Sequence, residues 1–459
     1  MKTLDDTITA IATAPGEAGV GIVRVSGPLA FTIAEQVFDC HTIGALETHH
    51  IYYGRIVDPT NREALDDALL LTFRSPHSYT GQDVIEFSCH GGSVTLKRVL
   101  ALCLRQGARM AEAGEFTERA FLNGRLDLAQ AEAVADIIKA QTDAQHRVAF
   151  RQREGSLSRS VAELAERLMN VLVRVEAVID FSEDIGELDY EQTTAEVEII
   201  NESVEKLLAT ADQGRIIREG LKIAIIGKPN VGKSSLLNSL LGYERAIVTP
   251  VPGTTRDVVE DTISLGGVPV ILADTAGVRE TDDVVESVGV KRTQKSLAEA
   301  DLALFIFAAP DGLTDEDRQV WQELNGKPVI PIINKADTIS TLECNVLQES
   351  AISFIGESLA ISAMTGEGIE DLRQTIIERT IGSGLALESV SVTNTRHQEA
   401  LRQTKASLDL ARNSLQANMT PDFVSIDLRG ALGSLGLISG ETVTEDLIER
   451  IFRDFCIGK

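Results

Sequence analysis

The chain has 459 residues, 43% of them hydrophobic, and a formal net charge of −26; that length suits about three domains at roughly 150 residues each, and an acidity of this size excludes tight binding of nucleic-acid phosphate by the chain as a whole without a local basic patch or a partner. Five scattered cysteines form no disulfide framework, and Cys89 next to His90 lacks the second cluster a metal site needs. No apolar run is long enough to span a membrane and Met1-Lys2-Thr3-Leu4 opens no signal-peptide pattern, so a cytoplasmic protein is expected.

Residues 1–120 alternate short β-like runs with turns, at 21–25, 51–57, 68–73 and 84–88, and His90-Gly91-Gly92-Ser93 leads into a helical run over 94–104. This is an α+β pattern. From about 124 the pattern turns helical. Leu157, Val161, Leu164, Leu168, Val171, Val175 and Val178 recur every three or four residues, the spacing of a bundle core.

An apolar run, Ile223-Ala224-Ile225-Ile226, then meets Gly227-Lys228-Pro229-Asn230-Val231-Gly232-Lys233-Ser234, and a helix-like run opens at Ser235-Leu236-Leu237-Asn238. Strand, glycine-rich loop and helix in that order make a phosphate cradle: backbone N–H groups line it and the helix N-terminus adds positive potential. Lys233 is expected to reach the β- and γ-phosphates, and the Ser234 hydroxyl to hold Mg²⁺. Next comes Ile247-Val248-Thr249-Pro250-Val251-Pro252-Gly253-Thr254-Thr255-Arg256-Asp257, rich in Gly, Pro and Thr. It is an ordinary surface loop or a nucleotide switch; its place between two phosphate-binding elements favours the switch, with Thr255 as the second Mg²⁺ hydroxyl. Asp274-Thr275-Ala276-Gly277 ends an apolar run, where an Asp can hold the Mg²⁺ shell and a Gly lets backbone approach the γ-phosphate. Val278 follows where many small GTPases carry a water-orienting glutamine, so hydrolysis must use another residue. Asn334-Lys335-Ala336-Asp337 ends the next apolar run, and a carboxylate there can accept both N–H groups of a guanine edge, which adenine does not offer. Ser362-Ala363-Met364 sits where a loop would close over the base. GTP rather than ATP is therefore expected. Its binding residues are expected to be Asn230, Val231, Gly232, Lys233, Ser234, Ser235, Thr249, Thr254, Thr255, Asp274, Thr275, Ala276, Gly277, Asn334, Lys335, Asp337, Ser362 and Ala363.

The helical spacing resumes at Leu401, Leu408 and Leu415, then at Val424, Leu428, Leu432 and Leu435. Thr442-Val443-Thr444-Glu445 offers a cap for a last helix through Ile451 and Phe452. The tail Cys456-Ile457-Gly458-Lys459 follows. Such an end is either free and disordered, with an inert cysteine, or functional, with Cys456 as a nucleophile or Lys459 as a ligand. The chain thus reads as a multidomain protein: an α+β N-terminal domain (1–120), an all-α helical bundle in two segments (121–216 and 383–459) and an inserted α/β P-loop GTPase domain (217–382), with boundaries near 214–220 and 382–385.

Along essentially its whole length the chain resembles the tRNA modification GTPase family MnmE, also called TrmE. The GTPase motifs are shared with many families. The resemblance narrows on Ala18-Gly19-Val20-Gly21-Ile22-Val23-Arg24-Val25-Ser26-Gly27, on Gly114-Glu115-Phe116-Thr117-Glu118-Arg119-Ala120-Phe121-Leu122-Asn123 and on the terminal Cys-Ile-Gly-Lys. It implies a potassium-stimulated GTPase whose nucleotide domains dimerise. It further implies a homodimer that works with the flavoprotein MnmG on carbon 5 of the wobble uridine of certain tRNAs, with a tetrahydrofolate derivative as one-carbon source. By the same resemblance K⁺ is held by Asn230, Thr249, Val251 and Thr254, standing where an arginine finger would neutralise charge. Glu286, otherwise a solvated helix face, becomes the water-orienting catalytic residue beside Lys233. Arg24, Glu86, Arg125 and Lys459 become folate ligands, Arg125 where some members carry lysine. The competing expectation is a GTP-dependent assembly switch such as a ribosome-maturation GTPase; such switches usually carry a basic RNA-binding appendage, and no run of this sequence reads as one.

Overall fold

The computed structural model describes residues 5–40, 46–243, 260–273, 297–324, 326–381 and 392–459. The chain divides into two compact units: Met1–Ala135 with Arg151–Asn201 and Gln403–Lys459, and Asp136–Phe150 with Glu202–Arg402.

The first unit holds a seven-stranded sheet: β1 (Ile8–Ile11), β2 (Ala18–Ser26), β3 (Phe38–Asp39), β4 (His50–Val57), β5 (Ala64–Phe73), β6 (Val84–Gly91) and β7 (Arg109–Met110). Their order is β3-β4-β5-β6-β2-β1-β7, antiparallel except where β1 meets β7. Side chains alternate across a strand. Val23 and Val25, with Ile85 and Phe87, therefore face a core that the helices Ala30–Val37 and Ser93–Arg105 close. Arg24 and Glu86, partners in register across β2 and β6, project from the other face.

The block 114–123 folds around a buried ion-pair cluster. Gly114 turns the chain at φ 68° and starts the helix Glu115–Leu122. On its buried side Arg119 Nη2 donates to Glu115 Oε1 at 2.9 Å, Arg119 Nη1 donates to the Asp6 carbonyl at 2.8 Å, and Arg109 Nη1 donates to Glu115 Oε2 at 2.8 Å. A buried charge is tolerated only when paired and hydrogen-bonded like this. Burial by itself would raise the Glu115 carboxyl; the hydrogen bonds from Arg109, the Glu112 amide and Arg119 outweigh it and hold the group down to about 2.

The bundle stripe is core: Leu157, Val161, Leu164, Leu168, Val171 and Val175 are buried along the helix Ser156–Asp180, which packs on Pro421–Ser439 through Val424, Leu428 and Leu435. Arg429 Nη2 lies 2.8 Å from Glu176 Oε1 across that pair. The last helix, Glu445–Arg453, differs from expectation at its start. Its N-cap is Thr444, without a side-chain cap bond, and the Thr442 hydroxyl donates to the Gly433 carbonyl at 2.8 Å. Phe452 near its end and Phe455 beyond it pack with Phe121, Leu128 and Ala131.

The second unit holds β8 (Leu221–Ile226), β9 (Glu260–Leu265), β10 (Val268–Ala273), β11 (Leu302–Ala308), β12 (Val329–Asn334) and β13 (Leu359–Ala360) in the order β13-β12-β11-β8-β10-β9, parallel except for the edge strand β9. Both faces are covered. Ile223, Ile225, Leu304 and Ile306 pack with Leu236, Leu240 and Leu372 on one side; Ala224, Ile226, Phe305 and Phe307 pack with Ala351 and Ile355 on the other. This is a doubly wound α/β sheet, and β8 lies where the strand order reverses, the place such sheets bind ligands. Asp301 anchors the entry to β8: its carboxylate takes Arg215 Nη2 at 2.8 Å and the Lys222 amide at 3.0 Å.

The Glu115 carboxyl is lower in the folded chain than its ordinary 4.5, so the stabilisation it gives is complete above about pH 4.5 and is lost as pH falls towards 2. The shift corresponds to a contribution on the order of 3 kcal/mol. Thermal midpoints measured from pH 5 down to pH 2 are expected to fall steeply in the wild-type chain. Glu115→Gln should start lower at pH 5 and show a shallower fall; an unchanged slope would remove Glu115 from the account.

Candidate functional site

The phosphate loop is shaped by what its glycines touch. A Cβ at Gly227 would stand 2.2 Å from the Ile306 carbonyl oxygen, and one at Gly232, where φ is +100°, would stand 2.2 Å from Asn334 Nδ2. Asn230 also lies in the left-handed region, at φ 63°, which asparagine tolerates better than most residues. From the helix Lys233–Tyr243 the Lys233 ammonium arches back over the loop and donates to the Gly227 and Lys228 carbonyls, both at 2.8 Å. Ser234 and Ser235 are exposed in the first turn of that helix. A glycine-shaped loop, a lysine and an exposed hydroxyl at a helix N-terminus thus stand together at the end of β8, the setting phosphate binding uses.

Three distant segments meet at Asn334, which ends β12 and is 2% exposed. Its Nδ2 donates to the Val231 carbonyl at 2.8 Å, and its Oδ1 accepts the Ala363 amide at 3.0 Å. Lys335, at φ 62°, donates from Nζ to the Asn230 carbonyl at 2.8 Å. The Ala336 amide bonds the Ile361 carbonyl at 3.0 Å. Ser362 is buried and closes a turn: its carbonyl accepts the Gly366 amide at 2.9 Å and its hydroxyl the Thr365 amide at 3.1 Å. Asp337 is exposed in the short 3-10 turn Ala336–Thr338 beside this cluster. Residues 230–235, 334, 335, 337, 362 and 363 thus lie around one loop cluster. Thr249, Val251, Thr254, Thr255, Asp274, Thr275, Ala276, Gly277 and Glu286 lie outside the described residues, as does the expected boundary at 382–385.

A second cluster lies in the first unit. Arg24 Nε donates to Glu86 Oε1 at 2.7 Å, both side chains being mostly buried, and Arg24 Nη1 donates to the Gly458 carbonyl at 3.2 Å. The guanidinium lies 5.5 Å from the Phe116 ring centre. The C-terminal tail is ordered on this site. Ile457 forms an antiparallel bridge with Ala113, the Gly114 amide donates to the Cys456 carbonyl at 3.3 Å, and the Phe116 amide donates to the Lys459 carbonyl at 3.2 Å. Gly458 makes the approach possible: at φ 96° a Cβ there would stand 2.5 Å from the Ile11 carbonyl oxygen. Burial, then the Arg24 charge, lower the Lys459 ammonium from its ordinary range. Cys456 is exposed. Arg125 is exposed too, its Cγ beside the turn at Gly81.

Sequence reasoning took Asn334 as part of a base-reading motif and missed it as the tie between loops; the glycine at 232, which makes room for its amide, was the signal. It also missed the buried Glu115–Arg119 pair, visible as an i, i+4 pair of opposite charge. Removing the Asn334 amide strands a buried carbonyl and a buried N–H, about 1–3 kcal/mol each. Asn334→Ala is expected to weaken GDP and GTP alike by at least about tenfold, measured by fluorescent-nucleotide titration. Unchanged affinities would mean the tie does not shape the site.

The family description "MnmE helical domain" matches residues 128–456 and "GTP-binding protein TrmE N-terminus" matches residues 7–125. The tRNA modification GTPase MnmE of Clostridioides difficile (strain 630) is 46% identical over 463 residues, covering 99% of this chain and all of that one. That of Moorella thermoacetica is 47% identical over 464 residues, with the same coverage. Among solved structures, Aquifex aeolicus Era bound to GDP·AlF4⁻ is 31% identical over 41% of this chain and 66% of its own, with a TM-score of 0.30. Both family descriptions on one chain, with identity of this level from end to end, show that it belongs to the MnmE family of tRNA modification GTPases.

Proposed function

We propose that this GTP hydrolase is stimulated by potassium and acts with an MnmG-like flavoprotein on carbon 5 of the wobble uridine of certain tRNAs, the carbon coming from a tetrahydrofolate derivative. The observation that carries the reading is the C-terminal tail on the Arg24–Glu86 pair. A terminal segment with no core of its own is held there by three hydrogen bonds to the block 113–116 and to Arg24. It lines a small site with a guanidinium, a carboxylate, an ammonium and a thiol. Those groups suit a folate: Glu86 accepts from a pterin amine, and Arg24, Arg125 and Lys459 meet the carboxylates of a glutamate tail.

In the nucleotide site Lys233 neutralises charge developing on the phosphates, and Asp337 accepts the guanine N–H edge. The exposed Ser234 hydroxyl at the helix N-terminus fits Mg²⁺, with Thr255 as its second hydroxyl. Asn230 fits K⁺, its left-handed backbone turning the side chain off the helix path, with Thr249, Val251 and Thr254 as further ligands. The ions supply positive charge against the phosphates, as an arginine finger would. Glu286 orients the attacking water, since Val278 cannot. A homodimer through the N-terminal sheet agrees with its surface: Tyr53 and Leu69 face each other in register across β4 and β5, and with Ile51 leave an apolar patch exposed. Among the described residues no helix is long and apolar enough to cross a membrane. The acidity of the chain agrees with tRNA reaching it through the complex.

Hydrolysis in K⁺ is expected to exceed that in Na⁺ at matched ionic strength by at least tenfold. Because Asn230 lies at φ 63°, glycine is the replacement that spares the backbone. Asn230→Gly should abolish most of the difference; equal wild-type rates in both salts would remove potassium from the proposal.

Gly458→Ala puts a methyl group against the Ile11 carbonyl and is expected to lift the tail off its site. Folate binding and tRNA modification should be lost while GTP hydrolysis stays within about twofold of wild type. Full modification by this variant would show that the docked tail is not part of the one-carbon site.

A further inference from the structure

We propose that Lys228, second in the phosphate loop, is a positioning residue for nucleotide binding, acting through a buried pair with Asp317. Its side chain does not face the phosphate side of the loop. It runs to the start of the helix Asp315–Glu323, where Nζ donates to Thr314 Oγ1 at 3.0 Å and lies 3.2 Å from Asp317 Oδ2. Asp317 is fully buried and Lys228 only 15% exposed. The receiving group is itself fixed: Thr314 caps the helix, its amide donating to Asp317 Oδ2 at 3.0 Å and its hydroxyl to the same oxygen at 2.6 Å. Among the described residues the second oxygen, Oδ1, has no hydrogen-bond partner, so this carboxylate depends on the Oδ2 side for its compensation.

The other end of Lys228 matters as much. Its carbonyl accepts the Lys233 ammonium at 2.8 Å, next to the Gly227 carbonyl that does the same. One residue therefore carries the seat of the phosphate-binding lysine on its backbone and an anchor to a capped helix on its side chain. Gly227 is already wedged against the Ile306 carbonyl, so the Lys228 anchor is what holds the following peptide in line. Without it the carbonyl that aims Lys233 is free to rotate. Lys233 meets the β-phosphate that GDP and GTP share and the charge that develops on the γ-phosphate, so the loss should fall on the binding of both nucleotides and on the chemical step as well.

The inference rests on residues 227–234 being the phosphate loop, which Lys233→Ala tests separately: if that variant keeps normal nucleotide affinity, the loop reading has failed and not the anchor. With that control in place, Lys228→Met is expected to raise the dissociation constants of both GDP and GTP, roughly tenfold each, and to lower kcat at saturating GTP by at least about threefold. Lys228→Arg, which can still reach Asp317, should stay within about threefold. Thr314→Val, which removes one of the two contacts and keeps the lysine, should lie between. In an Asp317→Asn background Lys228→Met should cost little more. Affinity within twofold in Lys228→Met with only a lowered thermal midpoint would make the pair merely structural and overturn the proposal. So would equal losses in the Met and Arg variants, or fully multiplicative losses in the double variant. If Lys228→Met does not fold, Thr314→Val decides: no change in either dissociation constant overturns the proposal.

Discussion

One buried amide organises the nucleotide site. Asn334 gives its N–H to the phosphate loop and takes an N–H from the loop after β13, so two segments 132 residues apart in the chain are held from one side chain (363 − 231 = 132). Its cost of burial is met because both ends are satisfied. The sheet makes this possible. β8, β12 and β13 are parallel, so their C-terminal ends stand at one edge, and loops that are distant in sequence become neighbours. The same edge receives Lys335 on Asn230 and Lys233 on the loop carbonyls. Each contact fixes backbone rather than side chain.

The Arg24–Glu86 cluster in the other unit is built on a different principle. There the alternation of β2 and β6 sends Arg24 and Glu86 to the face away from the main core, and a segment from the far end of the chain covers them. Phe452 and Phe455 bury the root of that segment against Phe121 and Leu128. Backbone bonds to Ala113, Gly114 and Phe116 then lay its last residues down as an added strand would be. Glycines at 114 and 458 permit the close approach, since a Cβ at either would meet a carbonyl oxygen within 2.6 Å. A tail that is usually disordered is ordered here because its anchor is apolar and its tip is hydrogen-bonded.

Much of this was legible in the residues. The phosphate loop was, because glycine at 227 and 232 answers a steric demand and the flanking strand and helix have distinct periods. The bundle stripe at 157–175 was, because a 3.6-residue repeat has few other uses. Strands of the N-terminal sheet were found by their apolar runs, though β2 and β5 extend beyond those runs into polar residues that the ladder still pairs. What sequence did not disclose were contacts between segments far apart: the tail on Arg24, Lys228 on Asp317, Asn334 on Val231. No local pattern records a partner that lies tens or hundreds of residues away. The cap of the last helix was not legible either: Thr442 had the spacing of a capping box, but the helix starts at Glu445 with Thr444 as N-cap, and the Thr442 hydroxyl donates to the Gly433 carbonyl of the helix before.

The central claim is that the two sites serve one reaction on tRNA, with GTP turnover driving a modification rather than an assembly step. Mass analysis of the nucleosides of tRNA, from cells with and without this chain, tests that most directly. The account predicts loss of one modified wobble uridine substituted at carbon 5, with ribosomal particles unchanged. An unaltered nucleoside profile together with accumulated ribosome precursors would contradict it.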